Sequence, residues 1–463
     1  MTPPLRAAAA QVTEAAIAAV RPEALLPRRL SWRAGELLLD GRSFAAPVRP
    51  TGRIVAVGGG KAAAGMAAAL AGILPGTRLS GLVSVPEGCG RSLAHVEVRE
   101  TRPRAANLPT AAVVEATGSM RRLLGSLRPE DLAVVLVTGG GSALLEEPAA
   151  GVELADVIAV TRSLSAAGAD IGELNLVRRA VSLVKAGGLA RACTAGRLVA
   201  VVLSDVIGDP LDLIASGPCM PAGSGFGVAL AILRRHAALD VAPRLTRHLE
   251  QGIIEAHPPA PGGEWTTPSG CRVSHVLLGG NATAVDAAAR AAAELGYDVT
   301  ARHADVALES AEAAGRRLAT EAAGLIAAAC HDGRSRAVIE GGEAVVRLPR
   351  EHGRGGRNQQ TALATVEAWQ RTGAAWPAGL LITSVGTDGE DGPTDAAGAV
   401  ADEQTADRVR AGGLDAASAA ERYDAYGFLD ATGALVRSGL TGTNVADLRI
   451  IVCRPVQAGD TAG

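Results

Sequence analysis

One junction recurs along this chain: a short apolar run, a glycine-rich loop, then a stretch of helical character. The loops are VGGGK (57–61), VTGGGSALL (137–145), LSDVIGDP with IASGP (203–218), LGGNAT (278–283), EGGE (340–343), HGRGGRNQQ (352–360), SVGTDGEDGPTDAAGA (384–399) and LTGTNVAD (440–447). A single loop of this kind also serves a plain turn. Eight of them, most following an apolar run, point to an open α/β sheet, where ligands bind outside the carboxyl ends of the strands. Candidate strands are 53–57, 81–85, 132–137, 198–203, 273–278, 337–339, 379–383 and 448–452, each dominated by apolar residues. Intervening helices are expected over 62–74, 110–127, 154–167, 227–235, 282–295, 308–330 and 358–372. Continuous apolar runs separated by helices argue for buried parallel strands in an α/β fold.

At 463 residues the chain exceeds one ordinary core, so two domains are expected. The Pro/Gly/Thr-rich segment 257–270 is the best linker, dividing 1–256 from 271–463. Hydrophobic residues make up 48 % and charged residues 20 %, the balance of a soluble globular protein. A net charge of −3 and 2 % aromatics argue against a nucleic-acid partner, which needs a basic surface or stacking platforms. The longest uncharged run, 213–233, contains Pro218 and Pro221 and reads as loop then helix, not as a membrane span. The N-terminal segment has Glu14 within its apolar part and reads as an amphipathic helix, not a signal peptide. The six cysteines include no CxxC and fit free thiols in a reducing cytoplasm.

Positive charge is almost all arginine. Lys61 and Lys185 are the two lysines of the chain, and arginine cannot replace a compact ammonium in a tight pocket. The loop around Lys61 fails the Walker A pattern, because Val55 stands at the first glycine position and Ala62 follows the lysine. It half meets the dinucleotide fingerprint: Gly58 and Gly60 fit, Ala63 takes the last position, and the next acid, Glu87, comes late. What remains is a strand–glycine–helix junction, whose amides at Gly58, Gly59 and Gly60 and whose helix dipole suit an anion. Gly140, Gly141 and Ser142 repeat that logic, with Ser142 readable as a helix cap or a phosphate donor. Asp205 and Asp209 share one polar loop; such pairs suit Mg²⁺ or ordinary Asx turns.

In the second half Glu343 closes EGGE, and Arg354 and Arg357 flank a glycine pair before Asn358, a setting for bidentate grip on a carboxylate or phosphate. Asp388, Glu390, Asp391 and Asp395 lie in a segment without lysine or arginine, which reads as a ligand-binding loop; an EF-hand fails on ligand order. Thr443 and Asn444 add neutral donors. Asn281, in LGGNAT, is one of five asparagines, three of which lie in these loops.

Taken together, VGGGKAAAGMA, GGGSALL, SDVIGDPLDLIASGP, GGE, GRGGRNQ, SVGTDGEDGPTDAAGA and GTNVADL resemble, in order and over nearly the whole chain, the glycerate 2-kinase family with a C-terminal MOFRL domain. The resemblance implies a Rossmann-like N-terminal domain, a smaller α/β C-terminal domain and an active site in the cleft between them. It implies a cytoplasmic enzyme that uses ATP and Mg²⁺ to convert D-glycerate to 2-phosphoglycerate. By the same resemblance Lys61 and Arg357 are catalytic. For such a reaction Asp205 is expected to be catalytic, orienting the acceptor hydroxyl, or with Asp209 to bind Mg²⁺. Gly58–Gly60, Gly140, Gly141, Ser142, Lys185, Ser216, Asn281, Glu343, Asn358, Asp388, Thr443 and Asn444 line the substrate and nucleotide sites. No membrane or nucleic-acid partner is implied, and a homodimer is one option for the assembly.

The chain departs from the family at a His-Pro-x-Pro-Asp segment, here Thr101-Arg102-Pro103-Arg104-Ala105-Ala106, and at Ala180, Ala186, Cys219 and Gln360. These departures bear on the acceptor more than on the reaction, so another small sugar acid is an alternative substrate. An NAD(P)-dependent hydroxypyruvate reductase is a rival from another class, weakened by the partial fingerprint and by His352 being the one histidine adjoining a motif loop. A non-catalytic sugar-acid binder is the third reading.

Overall fold

The computed structural model describes residues 3–74, 78–104, 107–221, 225–252, 264–304 and 309–455. All eight expected strands form, and the chain divides into two compact units. One unit comprises Pro22–Ser204 and Asp209–Leu278; the other comprises Met1–Arg21, Asp205–Gly208 and Gly279–Gly463.

The first unit carries a seven-stranded sheet. Its parallel strands lie in the spatial order Val96–Arg102, Leu79–Pro86, Ile54–Gly59, Leu132–Thr138, Arg197–Leu203. In chain order that is third, second, first, fourth, fifth, the doubly wound Rossmann arrangement. The order reverses between Ile54–Gly59 and Leu132–Thr138, so the loops after these two strands flank the topological switch point. Both strands are buried along their length, which explains their uninterrupted apolar runs. Gly58 is required by this packing: a Cβ there would lie 2.0 Å from the Leu136 carbonyl oxygen of the neighbouring strand. A separate helical layer packs around Val160, Leu164, Ile232, Leu233, Leu245 and Leu249.

The expected boundary at 257–270 moves. Residues 257–263 fall outside the described residues. Trp265–Thr266 pairs antiparallel with the start of Arg272–Gly279, and both strands complete the first unit's sheet. The division therefore falls at Leu278/Gly279, after a strand instead of before it. The N-terminal helix Leu5–Ala19 also belongs to the second unit, where it packs on helix Asn281–Glu294 and Arg6 donates to Asp402 at 2.8 Å.

The second unit has a six-stranded sheet in the order Asp298–Arg302, Arg336–Gly342, Asp447–Cys453, Leu380–Gly386, Gly398–Asp402, Leu435–Val436. The all-parallel expectation fails here. Asp447–Cys453 runs antiparallel to both neighbours, with Asp447 opposite Gly342 on one side and Gly386 on the other. Helices Ala311–Asp332 and Arg357–Gln370 help bury the sheet through Leu318, Ile326, Leu363 and Val366. A strand buried on both faces shows the same apolar run whichever way its neighbours point. No disulfide forms, and no helix among the described residues is long and apolar enough to cross a membrane.

The clash at Gly58 is with backbone, so it cannot be relieved by a rotamer change. Gly58→Ala is expected to lower stability by about 1–3 kcal/mol, the usual range for overpacking, read as a shift in the urea midpoint at unchanged slope.

Candidate functional site

In the second unit, three strand ends meet at one sheet edge. Arg336–Gly342 and Leu380–Gly386 end where Asp447–Cys453 begins. The side chains that follow or precede these ends are Glu343, Thr387, Asp388, Asn444 and Asp447. The helix Arg357–Gln370 starts at the same edge, because Arg357, its first residue, reaches Asp447 and Glu343. Arg357 Nε and Nη2 donate to the two Asp447 oxygens at 2.6 and 3.0 Å, a bidentate pair, and Nη1 donates to Glu343 Oε1 at 2.7 Å. Three of five guanidinium donors are thus engaged, and two are left for a ligand. The Arg357 side chain is 35 % exposed, whereas that of Asp447 is 1 % exposed.

Asp447 is held from every side. Asn358 Nδ2 donates to Asp447 Oδ1 at 3.0 Å, and Ser384 fixes that amide by donating to Asn358 Oδ1 at 2.6 Å. Asn281 Nδ2 donates to the carbonyls of Val445 and Asp447, both at 2.9 Å. The preceding residue, Ala446, has a left-handed backbone with φ 65°, a costly conformation for a residue with a Cβ. The Thr387 hydroxyl holds it, donating to the Ala446 carbonyl at 2.7 Å and accepting from the Val445 amide at 2.9 Å.

Several carboxylates crowd this edge. Burial, reinforced by Asp447 and Asp205, keeps the Glu343 carboxyl above the ordinary carboxylate range despite the Arg357 guanidinium. Burial disfavours the charge on Arg357, but Asp447 and Glu343 outweigh it and raise its pKa further. Asn444 Nδ2 lies 3.5 Å from Asp205 Oδ2. Asp205 and Glu343 offer hard oxygen donors, the type that suits Mg²⁺. Among the described residues, no group of three or more His, Cys, Asp or Glu could hold an ion alone. Mg²⁺ typically takes one or two carboxylates and completes its shell from substrate phosphates and water, so the residues fit a metal that arrives with a nucleotide. Asp209 belongs to the other unit and has a left-handed backbone, φ 54°.

Several expected ligand residues prove to be internal struts. Asn281 holds the Val445–Asp447 turn. Thr443 is buried and donates to the Val20 carbonyl at 2.7 Å. Asp391 caps a helix by accepting from the Asn358 and Gln359 amides, and Asp395 accepts from Tyr426 and Arg437. The acidic segment is therefore not a shared cation loop. Asp388 stays at the edge, accepting from the Glu390 amide at 3.0 Å.

In the first unit a second cluster forms at the switch point. Gly58 and Gly59 are strand residues paired on both sides, and the Gly60 and Lys61 amides donate to the carbonyls of Ser84 and Gly139. The expectation that the three glycine amides cradle an anion is corrected: these glycines serve strand packing. The Lys61 side chain is half-buried, with its Cγ 3.7 Å from where a Cβ on Gly140 would lie. Ser142 and Ser216 bring their hydroxyls within 2.9 Å. Ala215, Ser216 and Gly217 have φ of 50°, 62° and 63°, a run of left-handed residues of the kind that collects at functional sites. Gly141 must be glycine, since a Cβ would meet Ala215 Cβ at 2.6 Å.

Lys185 lies behind this cluster, not in it. Its side chain is 1 % exposed, and its ammonium pairs with Glu146 at 3.0 Å and donates to the Ser142 and Leu145 carbonyls at 2.9 and 2.8 Å. All three N–H groups are engaged, so Lys185 braces the Gly140–Ser142 loop instead of meeting a ligand. Asp447 and Glu146 were absent from the residues expected at a site. An acid opening the mostly apolar run DLRIIVC was the signal for Asp447, since a buried carboxylate needs a partner; nothing in the sequence singled out Glu146.

Two α/β units, each with glycine-rich loops at the ends of its strands, make up the architecture. Residues 8–250 match the domain of unknown function DUF4147, and residues 336–447 match the MOFRL family. Glycerate kinase of Danio rerio is 34 % identical over 97 % of this chain and 98 % of its own length, and that of Homo sapiens is 34 % identical over 96 % and 93 %. The crystal structure of glycerate kinase from Thermotoga maritima aligns at a TM-score of 0.76, with 30 % identity, over 97 % of this chain and 99 % of that one. A protein of Agrobacterium vitis described only provisionally as a hydroxypyruvate reductase is 34 % identical over 88 % of each chain. The chain belongs to the glycerate kinase family, and it is a kinase.

Replacing Lys185 by methionine strands a buried carboxylate at Glu146, one of whose oxygens already lacks a partner. Lys185→Met is expected to cost about 3–5 kcal/mol in urea unfolding, and the double change Lys185→Met/Glu146→Leu is expected to recover most of it.

Proposed function

We propose that this enzyme transfers the γ-phosphoryl group of ATP, as its Mg²⁺ complex, to the 2-hydroxyl of D-glycerate, giving 2-phosphoglycerate. The observation that carries the proposal is Arg357, locked by Asp447 and Glu343 with two donors left over. Phosphoryl transfer needs little covalent help; it needs positioning and neutralisation of charge on the moving group. Arg357 would grip the acceptor carboxylate or the phosphoryl oxygens in bidentate fashion. Asp447 prevents it from swinging, so little reorganisation is needed when charge develops. Lys61 would supply a compact positive charge that an arginine could not place as closely. Asp205 would orient the acceptor hydroxyl or hold Mg²⁺, with Glu343 as the neighbouring carboxylate and Asn444 fixing Asp205. Mg²⁺, when bound, would neutralise phosphate oxygens. Asp388, Asn358, Gly140, Gly141, Ser142 and Ser216 would shape the pockets, and Asp209 would serve as a further metal ligand.

The similarity to glycerate kinases over nearly the full length supports the acceptor class, while the departures at Ala180, Ala186, Cys219 and Gln360 leave a related sugar acid as the alternative. The hydroxypyruvate reductase reading has little support, because Gly58, Gly59 and the Gly60 amide are committed to the sheet instead of opening to a pyrophosphate.

The test is purified protein with D-glycerate, ATP and Mg²⁺, with product detected through added enolase, which accepts 2-phosphoglycerate. Lys61→Ala and Arg357→Ala are each expected to lower kcat/KM by about 10²–10³-fold, the range for loss of one preorganised charge-stabilising donor. Chelation of Mg²⁺ is expected to abolish turnover. Undiminished turnover in Lys61→Ala would remove that residue from the mechanism. NADH oxidation with hydroxypyruvate in place of phosphorylation would replace the kinase reading.

A further inference from the structure

Helix Arg357–Gln370 has no side-chain cap of its own, because Gly356 precedes it. The cap comes from elsewhere in the sequence. Asp391 Oδ1 accepts from the Asn358 amide at 3.0 Å and from Asn358 Nδ2 at 3.3 Å, and Oδ2 accepts from the Gln359 amide at 2.8 Å. The Asp391 carbonyl accepts from Gln359 Nε2 at 3.0 Å and from the Thr394 hydroxyl at 2.8 Å. The fit is close enough that a Cβ on Gly356 would lie 2.4 Å from Asp391 Cγ.

The turn fixed in this way bears Arg357 and Asn358, the two side chains that hold Asp447. Asn358 Nδ2 bridges the two carboxylates, donating to Asp391 and to Asp447. Asp391 is 2 % exposed. The charges around it are the Arg357 guanidinium on the helix, Asp447 on the antiparallel strand, Glu343 beyond Arg357, and Asp388, Glu390 and Asp395 on its own loop. Every group that Oδ1 and Oδ2 face at hydrogen-bond distance is an N–H donor. A proton on either oxygen would present a hydrogen to a hydrogen.

We infer that Asp391 is a positioning residue: its ionised carboxylate holds the first helical turn so that Arg357 and Asn358 engage Asp447, and its protonation loosens that turn and gives turnover an acidic limb. The activity part rests on the kinase reading. Burial, with Asp447 adding to it, pushes the Asp391 carboxyl up to about 7, so the limb falls near neutrality. The sign for stability is the reverse. Between the ordinary carboxylate value of about 4 and the raised value, the folded state binds more protons than the unfolded one. The contribution of Asp391 to stability therefore falls as pH rises through that window, while its contribution to turnover rises. Acid denaturation would give the same sign for both.

The experiment has two arms. In the first, kcat and KM are measured from pH 5.5 to 9 for wild type, Asp391→Asn and Gly356→Ala, the last pushing the carboxylate away without altering it. Wild-type kcat is expected to fall on the acid side. Asp391→Asn is expected to lower kcat at pH 8 by about tenfold to a hundredfold, the cost of slight misplacement of a catalytic group. It should also flatten the acidic limb and leave KM for ATP within about threefold of wild type, a marker chosen because positioning affects turnover more than uniform binding. Gly356→Ala is expected to lower kcat likewise. A limb that persists with the same midpoint in Asp391→Asn, or a wild-type kcat in both variants, overturns the inference. The second arm needs no activity and only the wild-type protein: hydrogen exchange of peptides spanning 355–362, corrected for intrinsic rates. Protection is expected to drop as pH falls through 7, and pH-independent protection overturns the inference. If wild type fails to phosphorylate glycerate, the kinase reading fails alone, and the exchange arm still decides whether the ionised Asp391 holds the turn.

Discussion

A carboxylate 1 % exposed at the mouth of a sheet must be paired, and Asp447 organises the second unit by that requirement. Its partners come from three separate stretches of chain: Arg357 and Asn358 from a helix, Asn281 from another helix acting on the backbone, and Thr387 from a strand end acting on the preceding residue. Each partner is itself held, Asn358 by Ser384 and Asp391, Arg357 by Glu343. A network of this kind stabilises only when every member is satisfied. That explains why so many polar residues in the glycine-rich loops bond to other parts of the chain. They position a single guanidinium.

The first unit meets the same need by other means. Its loops are placed by strand order, since the two strands flanking the switch point deliver Lys61 and the Gly140–Ser142 turn to neighbouring positions. Glycine here serves close approach of backbone to backbone, as at Gly58 against Leu136 and Gly141 against Ala215. The buried Lys185–Glu146 pair stiffens the turn from behind. The two lysines of the chain thus sit differently: Lys61 is half-buried at its loop, and Lys185 is buried beneath another.

What could be read from the sequence was what leaves a local signature. The eight central strands were legible because apolar residues dominate each, and the positions of Lys61, Arg357, Glu343 and Asn358 beside strand ends were legible because glycine-rich loops mark where a backbone approaches closely. Edge strands such as Val96–Arg102 were not, because their exposed faces interrupt the pattern. Strand direction in the second sheet was not, because burial on both faces erases the difference between parallel and antiparallel neighbours. The roles of Asn281, Thr443, Lys185 and Asp391 were not, since a donor that meets a ligand and a donor that meets a distant carbonyl look alike until the partner, up to 423 positions away for Thr443, is known.

The acidic segment shows the same point in terms of charge. Four carboxylates without a basic neighbour in sequence suggested a shared ligand, yet they divide their work. Asp391 faces helix amides, Asp395 faces Arg437 and Tyr426, and Asp388 accepts from the turn it begins. Charge concentrates elsewhere, at Glu343 and Asp447, which share the Arg357 guanidinium, and burial already holds Glu343 above its ordinary range. An anionic acceptor and an anionic phosphate donor entering beside these carboxylates would have their charge met only in part by Arg357, which Asp447 and Glu343 already share. In the proposed reaction, a metal bound with the nucleotide would meet the rest.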